Sequence, residues 1–387
     1  MRFGYFSNTA NLGLKKPFTQ ILDETRKIAT CVEDAGWESI WFTEHHFGHE
    51  GYEVCPNPIM MSADIAARTT TLRIGQAANI VTYWNPLRLA EDIAMLDHMS
   101  NGRIEVGVGR GIYGREAVHL NKDADLKDQA QNFRLFEQTM AFLKKAWSQE
   151  FIDHDGEFFT YPEPGFTWNH AESPKSAIFM NMETNELEKL AIVPRPLQQP
   201  HPPLWQVVDG PGSIQWAAEN GLGAMMWIPT VESLKWRFEM YREKASEAQG
   251  KDVPLGEGVA LVRDMFCAQT MEDAKIDGGE GILSYLRWVC HFRGLGNHMD
   301  PGEELPETPG KLDLLSYDWL HPRNLLFGTP DYIAERIEEL RDELGLETLL
   351  LWSNFPGVPH DKVMRSIQLF NEEVLPHFQP GTVKLAV

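Results

Sequence analysis

The chain has 387 residues, with 35 Lys plus Arg against 56 Asp plus Glu, a formal net charge of −21. That surplus argues against nucleic acid, whose phosphates need clustered Lys and Arg, and against docking on an anionic membrane leaflet. With 43% hydrophobic and 24% charged residues, the composition is that of a globular protein rather than a disordered one.

Strand-like and helix-like segments alternate along the chain. Arg2 to Phe6 predicts a strand. Phe18 to Ala35 has apolar residues at helical spacing and stops at Gly36. Glu38 to Phe42 is the next strand, and Pro58 to Arg68 a helix with Asn57 as N-cap and Pro58 at its first position. Leu72 to Val81 reads as one apolar strand, Pro86 to Met99 as a helix and Arg103 to Val108 as a strand. Asn132 to Trp147 is helical. Pro203 to Val208 (strand), Ser213 to Asn220 (helix), Ala224 to Ile228 (strand), Val231 to Ala248 (helix) and Gly258 to Cys267 (strand) follow. A helix opens at Thr329-Pro330 and runs to Leu344; Thr348 to Trp352 is a strand and His360 to Val374 the last helix. Eight strands, nearly all followed by helices, predict a parallel sheet with right-handed crossovers, closed as a (β/α)₈ TIM barrel rather than doubly wound. One domain over residues 1–387 is expected, enlarged by insertions over about 162–202 and 275–328 that would sit over the C-terminal mouth.

The four cysteines, Cys31, Cys55, Cys267 and Cys290, form no CxxC pair, which fits a reducing, cytoplasmic setting and argues against structural zinc. The N-terminus has no signal-peptide pattern, and no apolar run approaches the roughly 18 residues of a membrane helix.

Thr43-Glu44-His45-His46-Phe47-Gly48-His49-Glu50 directly follows the strand ending at Phe42. Residues just past a barrel strand face the active site, and an imidazole there suits acid or base work near neutral pH. The alternative for these histidines is a buried hydrogen-bonding role. A metal reading lacks HExxH, and no other strand end offers His-x-His. Gly109-Arg110-Gly111-Ile112-Tyr113-Gly114 is a literal GxGxxG, but the acidic residue a dinucleotide fingerprint needs about 20 residues on would fall inside a helix. The glycines instead let the backbone approach something flat beside Arg110. Asp209-Gly210-Pro211-Gly212-Ser213 joins a strand to a helix N-terminus, where free N–H groups and the helix dipole favour a phosphate.

The ordered segments Trp41-Phe-Thr-Glu44-His45-His46-Phe47, Ile74-Gly-Gln-Ala77-Ala78-Asn, Ala90-Glu91-Asp92, Ser100-Asn-Gly102-Arg103, Gly107-Val-Gly-Arg110-Gly-Ile-Tyr, Val207-Val-Asp209-Gly and Ser213…Trp216-Ala-Ala-Glu219-Asn-Gly221 resemble the bacterial luciferase family of flavin-dependent monooxygenases, its α subunit in particular. The resemblance covers most of residues 2–378 and is weakest over the two insertions. It implies a TIM barrel that takes reduced FMN from a separate flavin reductase and reacts it with dioxygen to a flavin hydroperoxide, which oxygenates a small apolar or aromatic molecule by hydroxylation or Baeyer–Villiger oxidation. It places His45 at the catalytic histidine and implies a cis peptide between Ala77 and Ala78 beneath the flavin ring. Arg110, Ile112, Val207, Asp209, Gly210 and Ser213 are implied for the cofactor and its phosphate, with Arg134 matching across a one-residue gap. Gly109 replaces the family's reactive cysteine, which would leave room for a bulkier substrate. A homodimer paired through the early helices is expected. A deazaflavin-dependent hydride-transfer enzyme of the same superfamily, and a non-catalytic partner subunit, are the alternatives.

Overall fold

Most turns from helix to strand and back are written in the local sequence. In the computed structural model, which describes residues 1–305 and 314–378, the elements run in order as β1 (Arg2–Ser7), α1 (Phe18–Asp34), β2 (Ser39–Phe42), α2 (Pro58–Ala66), β3 (Arg73–Gln76), β4 (Asn79–Ile80), α3 (Pro86–Met99), β5 (Ile104–Gly109), α4 (Gly114–Leu120), α5 (Gln129–Ser148), β6 (Leu204–Val207), α6 (Pro211–Glu219), β7 (Gly223–Trp227), α7 (Val231–Gln249), β8 (Val259–Cys267), α8 (Met271–Arg293), α9 (Tyr317–Asn324), β9 (Leu325–Gly328), α10 (Pro330–Leu344), β10 (Thr348–Trp352) and α11 (His360–Leu369). Side-chain caps start several of the helices: Asn57 Oδ1 accepts from the Met60 amide at 2.8 Å, and Asn85 Oδ1 from the Arg88 amide at 3.1 Å. Gly250 and Gly345 end α7 and α10 in the left-handed conformation.

The strands β1, β2, β3, β5, β6, β7, β8 and β10 pair in parallel around a ring, closed where Leu350 of β10 lies opposite Gly4 of β1 on one side and Val262 of β8 on the other. The barrel predicted from alternation is the one that forms, and its eight strands are the eight read in the sequence. Trp41 and Trp205 fill the interior edge to face, 5.9 Å between ring centroids. A Cβ at Gly75 would run into the Trp41 ring and one at Gly223 into Trp205, so glycines on neighbouring strands make the space for the two indoles. Outside the ring, the buried faces of the helices, such as Ile28, Ala29 and Val32 of α1, form the larger core.

The structure departs from the sequence reading in three places. The segment Leu72 to Val81 is not one strand: it breaks between β3 and β4 at Ala77–Ala78, whose peptide bond is cis. The segment 162–202 does not cover the mouth: Gln198 donates to Asp97 Oδ1 and to the Ile104 carbonyl beside the start of β5, Ile152 pairs with Leu190, and no residue of the segment lines the cavity at the mouth. The insertion expected over about 275–328 contains most of α8, a helix of 23 residues, then α9 and an extra strand, β9, which pairs with the outer half of β8 from Asp264 to Cys267. The part of that insertion within residues 306–313 lies outside the described residues. Gly278, Gly279 and Gly281 hide the helix from propensity reasoning. Packing explains them: a Cβ at Gly278 would come within 2.8 Å of the rings of Phe266 and Phe327, and one at Gly281 within 2.6 Å of Val358.

No helix among the described residues is long and apolar enough to cross a membrane.

Candidate active site

The C-terminal ends of β2, β3, β5 and β6, together with the first turn of α5 and the end of α8, enclose a cavity of about 670 Å³. That volume lies within the roughly 300–1,000 Å³ of small-molecule sites. His45, Ala77, Ala78, Gly109, Arg110, Ile112, Val207, Asp209, Gly210 and Ser213 all line it, so nine elements' worth of sequence separation collapses onto one surface.

Arg134 is the exception. It projects from the exposed side of α5 and forms a two-pronged pair with Glu157, both contacts at 3.0 Å. A carboxylate already neutralises it, and it takes no part in the cavity lining.

His45 sits between two buried carboxylates. Its Nε2 is 3.3 Å from Glu53 Oε1 and its Nδ1 is 3.5 Å from Glu116 Oε1. The Nδ1 contact is an electrostatic one, because no hydrogen bond of good geometry reaches that nitrogen. Burial alone would lower the pKa of His45, but the charges of Glu53, Glu116 and Glu44 outweigh it and the net shift is upward. The carboxylates are held from elsewhere. Glu53 Oε1 accepts from the Tyr285 hydroxyl of α8 at 2.7 Å, and Glu116 Oε1 accepts from the His46 amide at 2.7 Å. Glu44 organises the floor: it accepts from the Ile80 amide at 2.8 Å and from Trp84 Nε1 at 3.0 Å, which ties down the chain just after the cis bond. Its other contact, His46 Nε2 at 2.9 Å, places that second histidine in a structural role.

Arg110 is the one arginine on the cavity without an acidic partner among the described residues. Its Nη1 reaches only Asn132 Oδ1, at 3.4 Å, and its guanidinium lies over the Phe133 ring at 5.4 Å. Burial lowers its pKa, a cost that an approaching anion would offset. Opposite it, Ser213 Oγ turns back into its own helix cap: it donates to the Gly210 carbonyl at 2.9 Å and accepts from the Asp209 and Gly210 amides. The side chain expected to face the phosphate is therefore engaged, and what α6 presents is its first-turn amides, which have no intrahelical acceptors. Nothing stands within 4 Å of where a Cβ would be at Gly210 or Gly212, so the backbone there is bare.

Gly109 does not leave the room that loss of a side chain suggested. A Cβ there would come within 3.3 Å of both Ala78 Cβ and Ile80 Cδ1, so the neighbouring strand already closes that side. Four contributors escaped the sequence reading: Glu53, Glu116, Tyr285 and Arg293. Arg293 ends α8 and contacts Asp209 Oδ1 at 3.2 Å. Glu53 lies in the same loop as His45, and its position eight residues on was the only available signal. Among the described residues no group of three or more His, Cys, Asp or Glu is gathered to hold a metal.

Residues 1–348 match the family model described as luciferase-like monooxygenase. The chain belongs to that family. Among luciferase-like relatives, the flavin-dependent trigonelline monooxygenase, oxygenase component, of Acinetobacter baylyi is 24% identical over 99% of this chain and 97% of its own length. The alkanal monooxygenase alpha chain of Photorhabdus luminescens is 25% identical over 92% of each chain. A solved structure of the oxygenating constituent of 3,6-diketocamphane monooxygenase from Pseudomonas putida, a type II Baeyer–Villiger monooxygenase in complex with FMN, superposes with a TM-score of 0.76 at 22% identity, covering 97% of this chain and 98% of that one. The luciferase-like chain is accordingly an oxidoreductase whose barrel mouth is the place to seek its chemistry.

Proposed function

We propose that this luciferase-like monooxygenase is the oxygenase of a two-component system, taking reduced FMN from a separate flavin reductase and using dioxygen to oxygenate a small apolar or aromatic molecule. The observation that carries the reading is Arg110, a half-buried cation without a carboxylate partner among the described residues, lining the same cavity of about 670 Å³ as the bare first turn of α6. An unpaired guanidinium and a helix N-terminus aimed at one space are what a phosphate monoester requires. A relative named as an oxygenase component supports the two-component arrangement.

In this reading Arg110 and the Gly212 and Ser213 amides would hold the phosphate, Asp209 and Val207 would line the path from it, and the Ala77–Ala78 segment would be the floor offered to the flavin ring. Reduced FMN, when bound, supplies the electrons for activating dioxygen. His45, flanked by Glu53 and Glu116, holds a proton at a ring nitrogen beside that ring and delivers or accepts it during oxygen transfer. Tyr285 and α8 shut bulk water out of the mouth. A homodimer joined through α2 and α3 accords with the exposure of Met60 (71%), Met95 (56%) and Met99 (54%) on those helices. A cytoplasmic setting accords with four free cysteines.

Anaerobic titration with reduced FMN, followed by mixing with isotopically labelled dioxygen, tests the reading. Tight binding and slowed reoxidation of the bound flavin are expected, with label in the product once a substrate is added. Turnover that proceeds anaerobically with a deazaflavin, and no binding of reduced FMN, would assign the chain to hydride transfer instead.

A further inference from the structure

A second, smaller pocket of about 70 Å³ opens beside the large cavity, between the strand ends and α8. The two linings share His45, Ala77, Ile112, Val207, Asp209 and Arg293, so the pockets meet next to the cis bond and the flanked histidine. Phe6 of β1, Trp227 of β7, Trp352 of β10 and Tyr285 of α8 wall the smaller one. Adjacent walls stand nearly upright to each other: Trp227 and Trp352 at 71° and 6.3 Å, Tyr285 and Trp352 at 79° and 4.7 Å. A corner of this kind presents faces and edges to a single flat ring and has no space for a long chain.

The polar groups of this pocket are unequally satisfied. Its carboxylates are engaged: Glu53 by the Tyr285 hydroxyl and His45, Asp209 by Arg293 Nη1. Its donors are not. Arg293 Nε and Trp352 Nε1 are buried without a hydrogen-bond partner among the described residues. Buried polar groups in native proteins are almost always paired, so two orphaned donors in an aromatic pocket ask for acceptor oxygens on a ligand, and the Arg293 guanidinium, which Asp209 engages through Nη1 while Nε is left over, can offer its remaining edge to a planar anionic group. A ring bearing only a positive charge would find the acidic groups occupied, and an apolar ring would leave the donors orphaned.

We propose that this pocket binds a monocyclic planar carboxylate, an aromatic or heteroaromatic acid, with its ring in the corner of Trp227, Tyr285 and Trp352 and its carboxylate at Arg293. Calling that acid the substrate rests on the oxygenase reading above; the binding site itself does not.

The test is equilibrium binding to the full chain without flavin, read by tryptophan fluorescence and calorimetry, with benzoate, nicotinate, benzamide and 1-methylpyridinium as probes. The two acids are expected to saturate, with benzamide and 1-methylpyridinium at least about tenfold weaker, and Arg293→Gln is expected to weaken the acids at least about tenfold while leaving benzamide unchanged. Arg293→Lys, which keeps the charge and loses the fork, should fall between; if the Gln variant does not fold, the ratio of benzoate to benzamide affinity in the Lys variant carries the test. Absence of saturable binding by either acid, acid affinity indifferent to Arg293, or a preference for 1-methylpyridinium or benzamide overturns the proposal. Titrating the same proteins with reduced FMN separates the two claims. Acid binding without flavin binding sinks the oxygenase reading alone, and flavin binding without acid binding sinks this pocket alone.

Discussion

At His45 two opposing effects meet, and their balance makes a measurable prediction. Burial disfavours the imidazolium, while Glu53 and Glu116 at opposite ring nitrogens favour it and prevail. Replacing Glu53 by Gln keeps the burial and removes the largest favourable charge, so the His45 pKa should fall toward or below the ordinary value of about 6.5. An NMR titration of the ring reads this directly, and the alkaline limb of any activity that needs protonated His45 should move to lower pH in step. The sign for stability is fixed by the same shift. A pKa raised on folding stabilises below the unfolded value and loses that contribution as pH rises through the folded one, so unfolding measured against pH should show this part of the stability fading on the alkaline side. Arg110 gives the second residue-scale prediction. Arg110→Gln should weaken reduced FMN binding by about 1.5–3 kcal/mol, the worth of a hydrogen bond to a charged group, with little change in melting temperature because it serves no carboxylate in the fold. A variant that binds reduced FMN normally would remove Arg110 from the phosphate site.

At the scale of the element, α8 sets propensity against packing. Ala in place of Gly in a helix interior gains up to about 1 kcal/mol. At Gly281, however, a Cβ would meet Val358 at 2.6 Å and Phe355 at 3.0 Å, in a layer that includes backbone. Overpacking of this kind costs about 1–3 kcal/mol, so Gly281→Ala is expected to lower the melting temperature despite the better helix former; a rise would mean that α8 shifts freely on the barrel. The same comparison explains what could be read in the sequence. Ring strands such as β5 and β8 are buried along their whole length and show as largely apolar runs, interrupted by Glu105 in β5 and by Arg263 and Asp264 in β8. The helix α8 carries three glycines in four positions, dictated by Phe266, Phe327 and Phe355 from other parts of the chain, and local patterning holds no trace of those neighbours. His45, Arg110 and the Asp209 turn were legible because strand ends and glycine-rich turns have local signatures. Tyr285, which orients Glu53 from 232 residues away, has none. Arg134 misled because a basic residue on the right helix says nothing about the face it occupies.

For the molecule as a whole, the proposed function would have an anionic cofactor approach a chain of net charge −21. Attraction is concentrated at Arg110 and the α6 terminus, while repulsion comes from carboxylates spread over the surface. At about 0.15 M ionic strength the Debye length is about 8 Å, which screens the distant charges far more than the contact. The association rate of reduced FMN should therefore rise with added salt from low ionic strength, opposite to the behaviour of an electrostatically attracted ligand. Stopped-flow mixing across a salt series checks this, and a falling rate would mean that a positive funnel leads to the site.

The strand β8 runs on beyond the ring, so that β10 lies along its inner half and β9 along its outer half. The last part of the chain is thereby fastened at two levels to a strand made long before it. A single backbone cut in the exposed stretch 300–305 would produce two fragments, and the shorter would still carry β9 and the closing strand β10. The two pieces should travel together through gel filtration and part only on a denaturing gel, and separately expressed they should find each other, making this barrel divisible into a long and a short piece that reassemble around β8.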